Sequence, residues 1–228
     1  MNNPIIYVDP SGLDCYVFYD AGAEDGYVSK ASAEAIAKGL EKQYKTKVHL
    51  IPMTSADDLK NGWNGMGTDY FDIKTSTIEA VVLYGHGSEN RMRIYTDPGG
   101  DDSKYVRVNA DFVNGLDKKE MEFLMLLGCD MGSGNDSTNF AAKMVAGKHI
   151  YTGGVIAAAG STRVKSNGQI KADGQGFKLY KWNYGTSSAD ITYLNGTKYQ
   201  KMSALFKTAR NGGSVNPPGT PSSRKKKV

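Results

Sequence analysis

Cysteine and histidine are scarce in this chain: two cysteines, Cys15 and Cys129, and three histidines among 228 residues. Two cysteines cannot build a disulfide framework, and with three scattered histidines they do not suggest a four-ligand zinc cluster. No metal and no cofactor is expected. No run of about 18 apolar residues exists, so no transmembrane helix is expected. The small-apolar stretch from Gly153 to Gly160 is far too short. The opening MNNPIIYVDPSG has neither a basic n-region nor an apolar h-region, so it does not read as a signal peptide. The glycine-rich stretches GMG and GSG lack the lysine and following helix of a phosphate loop. A basic face is missing too. The formal net charge is +4, and the tail Arg224, Lys225, Lys226, Lys227 accounts for it. The body is neutral, which argues against a nucleic-acid partner.

What is present suits one sizeable core. The chain is 39% apolar and 23% charged, a globular rather than a disordered composition. Residues 1–13 read as a linker, 14–210 as one domain and 211–228 as a disordered basic tail. Asp14 to Tyr19 is β-rich, Ser29 to Tyr44 is a helix with Ser29 as N-cap, and Lys47 to Pro52 is a second strand. Strand, helix, strand implies a parallel sheet. Residues 53–76 read as a helix or loop insert. Ile78 to Tyr84 and Glu122 to Leu127 are nearly all apolar, as central parallel strands should be. Between them, MRIYT and KYVRV flank Asp97-Pro98-Gly99-Gly100 in a hairpin pattern, and 109–119 is a short helix. Ser137 to Ala146 reads as a helix, Ile150 to Ala158 as a fifth strand, 160–200 as short β runs, and Met202 to Thr208 as a last helical turn or two.

Two segments share one grammar. AVVLY runs into Gly85-His86-Gly87, and FLMLL runs into Gly128-Cys129-Asp130. Each is a buried strand ending in a reactive side chain between small or polar neighbours. Ligands of open parallel sheets bind beyond the carboxyl ends of the strands. If the two strands are adjacent and parallel, His86 and Cys129 emerge together, and a thiol beside an imidazole is the minimum apparatus for acyl transfer. Cys15, at the start of a strand, reads as a core residue. His49 and His149 lack ligand spacing, and Asp97 with Asp101 and Asp102 does not have the spacing of an EF-hand calcium loop. Trp63 and Trp182 read as core.

A hydrophobic strand ending in His-Gly, then one ending in Gly-Cys, resembles the caspase-like (clan CD) cysteine peptidases, a group that includes caspases, legumain, clostripain and gingipains. LLGCDMGSGNDSTNFAAKMVAG is similar to bacterial members. The resemblance spans about Leu13 to Val164. It implies an α/β caspase-like three-layer sandwich with a mostly parallel central sheet flanked by helices, and a cysteine endopeptidase. Carried over by position, Cys129 is the nucleophile and His86 protonates the leaving amine. The N–H groups of Gly87 and Cys129 form the oxyanion hole. Asp20 and Asp130 would favour Arg or Lys before the scissile bond, whereas Arg163 would favour an acidic residue. The basic preference is the expectation.

A second resemblance lies in Asn3-Pro4-Ile5-Ile6-Tyr7-Val8-Asp9-Pro10-Ser11-Gly12-Leu13, which is similar to the end of the Rhs-repeat core of bacterial polymorphic toxins. It implies a toxin module released by autoproteolysis from an Rhs shell. Such a secreted effector would act in the recipient cytosol on a protein substrate, with a cognate immunity protein as partner and no membrane role. Alternatives are self-processing near Gly12-Leu13, a non-catalytic binding module of the same fold, or a toxin acting on nucleic acid or a nucleotide cofactor, which the neutral body disfavours.

Overall fold

A computed structural model describes residues 13–23, 27–67, 77–96, 104–146 and 154–213. The linker through Gly12, the Asp97–Asp102 group, His149 and the tail from residue 214 lie outside the described residues, while Asn211 to Gly213 close the last helix with N–H bonds back to Lys207, Ala209 and Thr208. Chain order begins with β1 (Leu13–Asp20), α1 (Lys30–Tyr44), β2 (Val48–Met53), α2 (Ala56–Gly65) and β3 (Thr77–Tyr84). It continues through β4 (His86–Ser88), β5 (Arg91–Tyr95), β6 (Tyr105–Val108), α3 (Ala110–Asn114), β7 (Met121–Leu127) and α4 (Phe140–Ala146). Then follow β8 (Val155–Ala158), β9 (Thr162–Val164), β10 (Gln169–Ala172), β11 (Phe177–Asn183), β12 (Ser188–Asn195), β13 (Gln200–Lys201) and α5 (Met202–Arg210).

Seven strands form the central sheet in the order β12-β11-β8-β7-β3-β1-β2. The five from β2 to β8 are parallel, and β11 and β12 extend the sheet antiparallel. Alternating side chains feed two cores. Cys15, Val17, Tyr19, Val82 and Met125 pack with α1 and α5 on one face. Tyr16, Phe18, Val81, Leu83, Leu124 and Leu126 pack with α2, α3 and α4 on the other. A sheet buried on both faces is why its central strands read as continuous apolar runs. The result is the expected three-layer α/β sandwich with a mostly parallel sheet between helices.

Local chemistry sets the element ends. Ser29 caps α1 by accepting from the Ser32 N–H, and Lys45 closes it in the left-handed region at φ 56°. α4 starts at Phe140, not at Ser137. Asn135 Oδ1 takes the Ser137 N–H and hydroxyl, and Asn139 Oδ1 takes the Ala142 N–H, so the asparagines hold a turn and then cap the helix. The helix expected over 109–119 is confined to α3. The expected hairpin is present, and β4 joins it in a separate antiparallel sheet, β4-β5-β6. A further small sheet, β13-β10-β9, lies in the region after β8.

Candidate active site

Register brings the two motif blocks together. Tyr84 of β3 pairs with Leu127 of β7. His86 and Cys129 are each two residues beyond that pair, so they leave adjacent parallel strands at the same height. Both line one cavity of about 320 Å³, together with Tyr27, Tyr84, Ser161, Thr162 and Arg163. The glycines make this approach possible. A Cβ on Gly87 would sit 2.7 Å from the Cys129 carbonyl oxygen. A Cβ on Gly128 would sit 2.7 Å from the Gly85 carbonyl oxygen and would overlap the Met131 methyl. Gly85 N donates to Leu127 O at 3.4 Å, so the strands stay zipped up to the reactive residues.

His86 is half-buried in the first residue of β4. Its ring lies edge-on to Tyr95, with centroids 5.4 Å apart and planes at 76°. Asp20 fixes that support. Its buried Oδ1 accepts from the Tyr95 N–H at 3.1 Å and the Gly22 N–H at 3.2 Å. Asp20 therefore ties the end of β1 to β5, and it is not among the described lining residues.

Cys129 is a free, half-buried thiol. Thr162 N–H donates to its Sγ at 3.5 Å, and the Thr162 hydroxyl lies at 3.8 Å. The backbone N–H of Cys129 meets no hydrogen-bond acceptor among the described residues. The turn that follows is held on both sides. Asp130 sits at φ 59°, its N–H donates to Gly160 O, and its carboxylate accepts from the Ser133 hydroxyl at 3.0 Å. Further along, Asp136 receives Lys178 Nζ at 2.8 Å, and the Tyr180 hydroxyl lies within 2.9 Å of both Asp136 and Gly132 O. Cys15 contrasts with Cys129. It is fully buried, and burial drives its thiol pKa far up, which keeps it protonated.

Of the residues singled out in sequence, His86, Cys129 and Arg163 share the cavity, with Gly87 against the Cys129 backbone. Asp130 points its carboxylate at Ser133. His49 meets a carboxylate after all: the β1–β2 pairing brings its Nε2 to 3.9 Å from Asp14 Oδ1, and its ring stacks on Tyr16. Among the described residues no group of three or more His, Cys, Asp or Glu could hold a metal ion. Trp63 is core and donates to Asp117 O. Thr162 belongs to no motif that the sequence shows. Its place is four residues beyond β8, the strand that neighbours β7. In the sequence Tyr84 is only the last residue of an apolar strand. Its hydroxyl donates to Tyr27 O at 2.5 Å and holds the opposite wall.

No family model matches the chain, and no curated protein matches it. Among solved structures, it is similar to a secreted C11 cysteine protease from Bacteroides thetaiotaomicron, determined by X-ray in complex with an irreversible peptide inhibitor. The likeness has a TM-score of 0.46 and 11% identity over 70% of this chain, and it covers 51% of that one. This chain thus spans about half the length of the protein it matches. Among the described residues, no helix is long and apolar enough to cross a membrane.

Proposed function

We propose that this chain is a cysteine endopeptidase working through Cys129 and His86. The carrying observation is the equal-height emergence of both side chains into one cavity from adjacent parallel strands. Cys129 Sγ attacks the scissile carbonyl carbon, and the C–N bond breaks. His86 takes the Cys129 thiol proton and passes it to the leaving amine, and water then hydrolyses the thioester, releasing the new carboxylic acid and returning a proton to Sγ. The uncommitted Cys129 N–H, with that of Gly87, receives the developing oxyanion. A donor of this kind contributes about 3–4 kcal/mol to the transition state. Thr162 holds the thiol from the far side.

The reading extends to biology through the chain's first residues. The Asn3 to Leu13 stretch supports a toxin module released from an Rhs shell, either cutting proteins in a recipient cell or cutting its own precursor near Gly12-Leu13. An immunity protein follows from that role.

The test compares wild type with Cys129→Ala on fluorogenic peptides carrying Arg, Lys, Asp, Asn or Leu before the cleavable bond, with each protein also run alone for self-cleavage. Turnover in wild type and none in the variant is the expected result. Cellular toxicity that persists in Cys129→Ala, without any peptide cleavage, would replace this reading with a binding module.

A further inference from the structure

The surroundings of the site are cationic on two sides. Arg163 is the one Arg, Lys, Asp or Glu among the described lining residues of the cavity. It is exposed and makes no hydrogen bond or ion pair among the described residues. Asp173, which feels the Arg163 charge, is already paired with Lys171 at 2.8 Å. Asp20, which would have favoured a basic side chain, is buried and spends Oδ1 on two backbone N–H groups.

The second side is the β4-β5-β6 sheet. Register places His86 opposite Arg93, and Arg93 opposite Arg107, so the three form one row on one face. Arg91 follows two residues along β5 on the same face. Like charges directly opposite each other across strands repel. The Tyr105 ring beneath them offsets part of this, with Arg93 at 5.0 Å and Arg107 at 5.7 Å from its centroid. The arginines pull the Tyr105 hydroxyl below its ordinary pKa, chiefly through the Arg107 hydrogen bond. Beyond the row, a cavity of about 290 Å³ is lined by Asn90, Arg91, Arg107, Asn109, Thr138 and Lys143, with no acid among the described residues there. Arg91 Nε is buried in this region without a hydrogen-bond partner among the described residues. The neighbouring acid, Glu89, is turned to the Asn135 N–H.

We propose that the substrate is an acidic polypeptide segment. One carboxylate lies on Arg163 beside the nucleophile, and others lie along the Arg93–Arg107 row toward the Arg91–Lys143 cavity. This rests on the peptidase reading for what happens to the bound segment, but the binding itself does not need cleavage.

The test uses Cys129→Ala and two fluorescein-labelled decapeptides, one alternating Glu with Gly and the other Gln with Gly. Partly exposed ion pairs contribute about two- to fivefold each, so the Glu peptide should bind roughly tenfold tighter or better. The advantage should shrink as salt shortens the screening length. Arg163→Gln and the pair Arg93→Gln with Arg107→Gln should each lose several-fold. Arg93→Lys with Arg107→Lys should retain most of the binding, and Lys38→Gln with Lys42→Gln on α1 should change nothing. Equal affinity for the two peptides, or indifference to the arginine substitutions in proteins that unfold at the wild-type temperature, overturns the proposal. Wild type that cuts only neutral or basic peptides refutes the acidic preference and leaves the peptidase standing. Arginine-dependent binding of the Glu peptide without any cleavage by wild type upholds the acidic surface and refutes the peptidase.

Discussion

Gly128→Ala isolates the close approach on which the site depends. The new Cβ would lie 2.7 Å from the Gly85 carbonyl oxygen and 3.3 Å from Gly87 N, and it would overlap the Met131 methyl. The methyl ends a flexible side chain and can swing away. The Gly85 carbonyl cannot, because Gly85 N is bonded to Leu127 O. Ordinary carbon–oxygen contact therefore requires the strand ends to part by roughly 0.5–1 Å. Overpacking of this kind costs about 1–3 kcal/mol of stability. A misplacement near 1 Å between reacting groups costs on the order of 100-fold in rate. The assay pairs thermal unfolding with peptide turnover measured well below the unfolding transition. Adding Met131→Ala should recover part of the stability and little of the turnover, since it removes the methyl overlap and leaves the backbone one. Full recovery of turnover in the double variant, or wild-type turnover in Gly128→Ala, would refute the claim that backbone contact sets the Cys129–His86 geometry.

Other expectations follow from the same contacts. Thr162→Val keeps the N–H donor to Sγ but removes the hydroxyl, so thiol alkylation of Cys129 should slow by about threefold with unfolding unchanged. Lys178→Met leaves Asp136 without its 2.8 Å partner; Asp136 is partly solvated, so a cost of about 1–3 kcal/mol is expected in denaturant titration, with turnover falling as the Asp130–Asp136 turn loosens. Glu79 is held above its ordinary pKa by burial, then by Glu122. A carboxyl raised in the folded state resists losing its proton, so folding is penalised as pH rises through the window between its unfolded value and its raised one. Glu79→Gln should therefore stabilise the protein at neutral pH and do little at pH values below that window, read as unfolding temperature against pH.

The central strands and the convergence of His86 with Cys129 are legible because parallel strands buried on both faces are apolar throughout and end abruptly. Ile78 to Tyr84 and Glu122 to Leu127 carried that signal, and their shared endings placed His86 and Cys129. β4 was not legible. Three residues have no periodicity, and His86–Ser88 becomes a strand only through pairing with Arg91–Arg93. Asp20 reads in sequence as a turn carboxylate near the site. Its actual partner, Tyr95, is a long-range contact that no local pattern reveals. The arginine row is hidden for the same reason, since Arg93 and Arg107 face each other only once β5 and β6 are in register. α4 began late because Asn135 and Asn139 use their side chains on the backbone, a competition that apolar spacing does not report.

The most direct measurement is labelling of the folded protein with a peptide chloromethyl ketone bearing Asp before the warhead, located by mass spectrometry. The account expects one adduct per chain, on Cys129 and not on buried Cys15, formed much more slowly in His86→Ala. An adduct on Cys15, no adduct at all, or a rate indifferent to His86 would contradict it.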